Sequence, residues 1–339
     1  MKFAGCDLHK ETITICVVNQ SREVLKRERL VCRDERGLRS FFESLGPFQA
    51  VVEATASYEW FVRLIEPVAC RVLLAHPKKL RVIAESTRKS DQLDARMLAE
   101  FLALDMIPTS YQPTPRQREH RRLVRQRHGI QRRLTSVKNR IRRILSNYNA
   151  DRKSLFSTAG LAYLERVPLS AADRFSVEQV VEELQFGRRQ LQAAEARLKQ
   201  FAEQAPLRER EARTLLRTIP GVGFVTTEVV LAELADIDRF GSQKQVVSYA
   251  GLSPGQRESA GKSRELHLEK NGSAHLRATL VEAAWRLVRH SLRWRGIYER
   301  LKVRVRAKKA IVAVARRLLC LMTAILKSGR PYSASYQPA

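Results

Sequence analysis

A chain of 339 residues with a formal net charge of +27 has room for two domains, and its 44% of hydrophobic residues can bury sizeable cores, yet its charge is not that of an acidic metabolic enzyme and points to a polyanionic partner, most simply nucleic acid. The excess is concentrated: net +2 over residues 1–110, +11 over 111–150, 0 over 151–250 and +14 over 251–339. Arg316 and Arg317 interrupt the most apolar run, Asp7, His9 and Glu11 stand where a secretory leader would need apolar residues, and five scattered cysteines form no CxxC pair, so no membrane span, secretion, disulfide framework or zinc site is expected and a reducing cytoplasm fits. The first predicted elements are strands. Phe3–Asp7 is short and apolar and ends on an acid. Thr12–Val18 alternates and is rich in β-branched residues, and Glu23–Val31 supplies a third strand. Arg33–Leu45 is a predicted helix with Leu38, Phe41, Phe42 and Leu45 on one face. A buried strand follows at Ala50–Ala54, an amphipathic helix at Tyr58–Val68, a strand at Arg71–Ala75 and a helix at Asp91–Leu104.

Two prolines make Tyr111–Pro115 a linker. A long basic helix is predicted from Arg116 to Asn147. Leu123, Ile130, Val137 and Ile144 recur every seven residues, Leu134 and Ile141 fill a second seam position, and Arg127 breaks it. A second long helix, Val177 to Gln204, repeats Val177, Leu184, Leu191 and Leu198 and is weakened locally by Gly187. Together they suggest an antiparallel coiled-coil arm over residues 111–205; two ordinary core helices are the alternative. The turn Ile219-Pro220-Gly221-Val222-Gly223 lies between two helical patterns and looks like a helix-hairpin-helix, whose glycines let backbone N–H groups approach a phosphate. A plain packing hairpin has the same sequence signs. Gly251 to Gly272 reads as loop, and Ala274–Val288 and Val303–Leu326 as helices, within a mainly α C-terminal domain over 206–339.

The order β-β-β-α-β-α-β-α over residues 1–110 is that of a ribonuclease-H-like α/β domain. Such a fold gathers Asp7 and Glu53 at strand ends, and Asp91 and Asp94 share a helix face three residues apart. Each alone is an ordinary surface charge. Together, if buried, they repel one another, and hard divalent cations, Mg2+ or Mn2+, relieve that repulsion. Two such ions about 4 Å apart serve phosphodiester chemistry by activating the attacking oxygen and stabilising the leaving one.

Gly5-Cys6-Asp7-Leu8-His9-Lys10, Val52-Glu53-Ala54-Thr55 and Lys89-Ser90-Asp91-Gln92-Leu93-Asp94-Ala95-Arg96 resemble the RuvC-like DEDD domain of insertion-sequence transposases related to the Piv invertases, the bridge-RNA-guided recombinases. The second half is similar to their C-terminal transposase domain at Ile219–Gly223, Phe240 through Pro254, Glu258–Gly261 and Lys270 through Arg277. The resemblance implies that Asp7, Glu53, Asp91 and Asp94 are catalytic metal ligands and that Ser259 is a serine nucleophile which attacks a phosphodiester and holds a DNA end covalently. The family sets that serine before glycine; here Ala260 intervenes, and Ser263 and Ser253 stand as alternatives. The resemblance further implies donor and target DNA and a structured noncoding RNA as partners. It also implies a homotetramer, or a dimer assembling to one, in a bacterial cytoplasm at the nucleoid.

Residues expected to meet nucleic acid are Arg121, Arg122, Arg125, Arg132, Arg133, Lys138 and Arg142 on the basic helix, and Arg257, Lys262, Arg264, Lys270 and Arg277 around the serine. Two other readings compete. A RuvC-like metal-dependent nuclease or Holliday-junction resolvase would form no covalent intermediate, and a basic scaffold would only bind. The four acids argue against the scaffold, and the resolvase leaves the Ser259 segment without a role.

Overall fold

Alternating apolar residues build the first sheet. In the computed structural model, which describes residues 1–54, 58–83, 91–259, 262–268 and 272–333, five strands come from the N-terminal region. They are β1 (Lys2–Leu8), β2 (Thr12–Val18), β3 (Val24–Val31), β4 (Phe48–Glu53) and β5 (Arg71–Ala75), in the order β3-β2-β1-β4-β5. β1 pairs antiparallel with β2 and parallel with β4; β2 pairs antiparallel with β3, and β4 parallel with β5. One face of the sheet buries Phe42, Phe48 and Phe61 beneath α1 (Glu35–Glu43) and α2 (Glu59–Ile65). Asp34 starts α1 by accepting the Gly37 N–H at 2.9 Å. The other face packs Phe3, Cys16 and Val51 against Ala95, Leu98 and Ala99 of α4 (Asp91–Ala103). A short helix after β5, α3 (Pro77–Ile83), does not stand out in the sequence.

The chain divides into two compact units, Met1–Gln112 and Pro113–Ala339. The second is helical. Thr114 and Gln117 form a capping box ahead of α5 (Pro115–Ser146). After α6 (Thr158–Arg166), α7 (Ala171–Glu203) returns antiparallel along α5. The pairs Arg140–Glu183, Arg127–Glu195 and Arg197–Glu119 mark the path at 2.7, 2.6 and 3.0 Å. Arg127, the break in the apolar repeat, is therefore filled by an ion pair across the helices. Gly187 has a packing reason: a Cβ there would lie 2.7 Å from Leu134 Cδ2. α7 starts six residues before the predicted Val177, capped by Ser170.

α8 (Leu207–Arg217) and α9 (Phe224–Leu234) flank the Thr218–Gly223 turn, with Gly221 at φ 78°. α9 lies in the main core with α11 (Ala274–His290) and α12 (Leu292–Ser328). Two expectations are corrected here. The segment read as loop, Gly251 to Gly272, contains a hairpin, β6 (Pro254–Ser259) and β7 (Lys262–Leu268), and an unpredicted helix, α10 (Gln243–Tyr249), lies just before it. The hairpin's strands carry no β-branched residue, so the period-two signal is weak. The last helix begins at Leu292, not Val303, and is broken at Arg306, which takes φ 65° and ψ 159°.

Candidate active site and nucleic-acid interface

Strand parity places the acids. Asp7 is opposite Thr14, and Gly5 opposite Cys16, in the β1–β2 register. Gly5 lies directly under α4: a Cβ on it would meet the Ala95 carbonyl oxygen at 2.1 Å and the Ala99 nitrogen at 2.4 Å. Residues two apart share a face, so Asp7 is on the α4 face. The parallel β1–β4 register pairs Gly5 with Val51 and Cys6 with Val52, so Glu53 emerges beside Asp7 on that same face, next to Val51. Asp94 immediately precedes Ala95 on α4, and Asp91 opens the helix one turn earlier. A glycine on the strand thus lets a helix bearing two acids lie against a sheet bearing two more.

The surroundings are those of oxygen chemistry. The Asp7 side chain is 16% exposed, and its Oδ2 lies 3.0 Å from His9 Nε2. The cross-strand neighbour Thr14 buries its hydroxyl with no hydrogen-bond partner among the described residues. Carboxylates with an orphaned hydroxyl beside them make a donor set suited to a hard divalent cation. The Asp91 side chain lies outside the described residues, and among those described no group of three His, Cys, Asp or Glu side chains is drawn together around one point.

Ser259 closes β6 opposite Lys262, and Ala260 and Gly261 lie outside the described residues. The same register sets Arg257 across from Arg264 and Glu258 across from Ser263. Lys270 and the side chains of Ser259, Arg257, Lys262 and Arg264 lie outside the described residues. Ser253, the other alternative, is half-buried just before β6.

Several cations on the basic helix turn inward. Arg121 donates to the Ala232 and Glu233 carbonyls at 2.8 and 3.1 Å, holding the C-terminal end of α9. Arg125 makes two 2.9 Å bonds to Glu233, a carboxylate only 1% exposed. Arg142 bonds Asp151, and Arg277 donates to the Ala250 and Gly272 carbonyls. Arg122, Arg132 and Arg133 are exposed, and Lys138 lies over the Phe156 ring.

A buried polar network was not foreseen from the sequence. Glu228 of α9 is fully buried; Arg213 donates to it at 2.8 and 3.0 Å, and His120 Nε2 lies 2.8 Å away. Arg213 and Arg116 also bond Glu209. Burial pushes the Glu228 carboxyl up, but hydrogen bonds from His120 and Arg213 outweigh it and hold it below the usual range. Glu233 is depressed likewise, its burial overcome by Arg125. Nearby, the rings of His128 and His275 stack at 3.9 Å, and burial followed by the charge of His128 pushes His275 down to about 4.

Known proteins resemble the chain over both units. Residues 213–299 match the family described as transposase IS116/IS110/IS902, and residues 4–150 match the DEDD transposase domain of IS110 type. The transposase for insertion sequence element IS1111A of Coxiella burnetii (strain RSA 493 / Nine Mile phase I) is 24% identical, over 98% of this chain and 91% of that protein. The transposase for insertion sequence element IS1328 of Yersinia enterocolitica is 24% identical over 83% of this chain and 82% of its own length. The pilin gene-inverting protein of Moraxella bovis is 30% identical over 35% of this chain and 38% of its own. No helix among the described residues is long and apolar enough to cross a membrane.

Proposed function

The chain belongs to the IS116/IS110/IS902 family of transposases, and from that premise we propose that it moves an insertion sequence by cutting and exchanging DNA strands at donor and target sites. What supports this reading is the β1–β4 register, which puts Asp7 and Glu53 on neighbouring strands and on the sheet face that packs against α4. In this reading the first unit is a RuvC-like, ribonuclease-H-like domain. Mg2+ or Mn2+ held by Asp7, Glu53, Asp91 and Asp94 would offset phosphate charge and favour an ionised attacking oxygen. His9, bonded to Asp7, orients that carboxylate.

Ser259 is the nucleophile. Its Oγ forms a bond to phosphorus, the bond from phosphorus to one deoxyribose oxygen breaks, the hydroxyl proton leaves to a base, and the departing oxygen takes up a proton. A serine hydroxyl is weak until a base or metal activates it, and Ser259 stands at the end of β6. The basic residues Arg132 and Arg133 of the helix and Arg257, Lys262, Arg264 and Lys270 of the hairpin region neutralise phosphates. A structured noncoding RNA pairs with both DNA sites, so the protein, acting as a homotetramer, reads backbone shape rather than sequence.

The test is a denaturing gel of protein incubated with Mg2+, the element's noncoding RNA and labelled donor and target DNA. A covalent protein–DNA adduct is expected, absent in Ser259→Ala. Asp7→Asn is expected to bind nucleic acid as before and to form no adduct. Metal-dependent cleavage with no adduct would instead establish the resolvase-like reaction.

A further inference from the structure

A cavity of about 380 Å³ opens between α7, α8 and α9, lined by none of the residues proposed for the acidic site or the serine hairpin. Its floor is the buried Arg213–Glu228 pair, already neutral and fixed by two hydrogen bonds. Its walls are different. Arg210, Thr214 and Arg217 follow one another at helical spacing on one face of α8, and Lys199 faces them from α7. Lys199, Arg210 and Arg217 are exposed, and among the described residues none is in an ion pair. Glu203 is the one carboxylate on the wall outside the floor pair. Three cations against one acid favour an anion. Phe224, half-buried at the start of α9, adds an aromatic surface to the same cavity.

An inorganic anion leaves that volume and that ring unused, whereas small-ligand sites begin at about 300 Å³. Phosphate-binding cations beside a stacking surface suit a nucleotide. Phe224 follows Gly223, where a Cβ would meet nothing within 4 Å, so a strand can pass the turn without obstruction. We propose that this cavity receives one unpaired nucleotide of a nucleic-acid strand, its base against Phe224 and its phosphate between Arg210, Arg217 and Lys199. The site recognises local loss of pairing, a property independent of the serine reaction.

The full chain is titrated with two labelled duplexes of equal length, one fully paired and one with a single bulged 2-aminopurine. The bulged duplex is expected to bind roughly tenfold tighter, the scale of one base–aromatic stack, with a change in 2-aminopurine emission on binding. Phe224→Leu, which keeps apolar bulk, should erase the preference and leave paired-duplex affinity unchanged. Should that variant fold poorly by circular dichroism, Arg210→Ser with Arg217→Ser tests the phosphate side, and a fall of several-fold confined to the bulged duplex is expected. Equal affinity for the two duplexes in the wild type overturns the proposal. So does a preference retained in both variants, or a free nucleoside monophosphate bound with no preference for the bulge. Adduct formation by Ser259 is read separately, so either conclusion can fail alone.

Discussion

Glu228 and Glu233 are fully buried carboxylates on a helix with little amphipathic pattern, and neither announces itself in sequence. Their partners, His120 and Arg125, lie 108 residues away, and only the folded chain brings them together. The four acids proposed as metal ligands stood out in the sequence for the opposite reason: Asp7 and Glu53 lie near the ends of strands and Asp91 and Asp94 in the first turns of a helix, local elements whose periodicity is readable. Thr14 did not, since its buried hydroxyl, without a hydrogen-bond partner among the described residues, is set beside Asp7 only by cross-strand register. These single groups also set how stability follows pH. Folded His275 titrates near 4 against an ordinary 6.5, and His128 is lowered too, so the unfolded chain takes up protons first. Stability therefore falls as pH drops from 6.5 toward 4. Glu228 and Glu233 stabilise above the ordinary carboxylate value of 4.5, and their contribution is lost only below it. The window from pH 6.5 to 5 isolates the histidines. Urea midpoints should decline across it, and His275→Gln should flatten the decline; an unchanged slope in the variant would sink the assignment.

Helices and strands with a clean period were read nearly to the residue, as with β2 and the start of α4. Short helices such as α3 and α10 were not, because seven residues hold too few turns for a pattern. The β6–β7 hairpin was missed because its strands lack the β-branched residues that mark β1 and β2. Gly187 looked like a weakness in a helix and is a contact with Leu134. The same logic governs the closest approach of helix and sheet. Gly5→Ala must push α4 away from β1, since its methyl would meet backbone atoms rather than a flexible side-chain tip. We expect a loss of about 1–3 kcal/mol in chemical unfolding. DNA cleavage should fall further than the loss of folded protein explains, because α4 carries Asp91 and Asp94. Activity normalised to folded protein is the deciding measurement, and a variant fully active on that scale would separate the helix position from the chemistry.

Across the whole chain, charge read from composition overstates the surface that faces nucleic acid. Arg116, Arg121, Arg125 and Arg127 all spend their guanidinium groups on carboxylates or carbonyls of the same unit. Exposed Arg132 and Arg133 are better placed to release counterions from a phosphate backbone. Replacing both by Ser should weaken DNA binding about equally across sequences and make the slope of log K against log salt shallower by about 2. An unchanged slope would remove them from the interface. The antiparallel pairing of α5 and α7 has a consequence for how such chains can vary. Each cross-helix pair, from Arg140–Glu183 to Arg197–Glu119, ties a position on the outgoing helix to one on the returning helix. An insertion in one helix alone would slide every later pair out of step. Lengthening is tolerated only when both helices grow together by whole turns, so size differences among related chains should arise as matched insertions on either side of the α6 end.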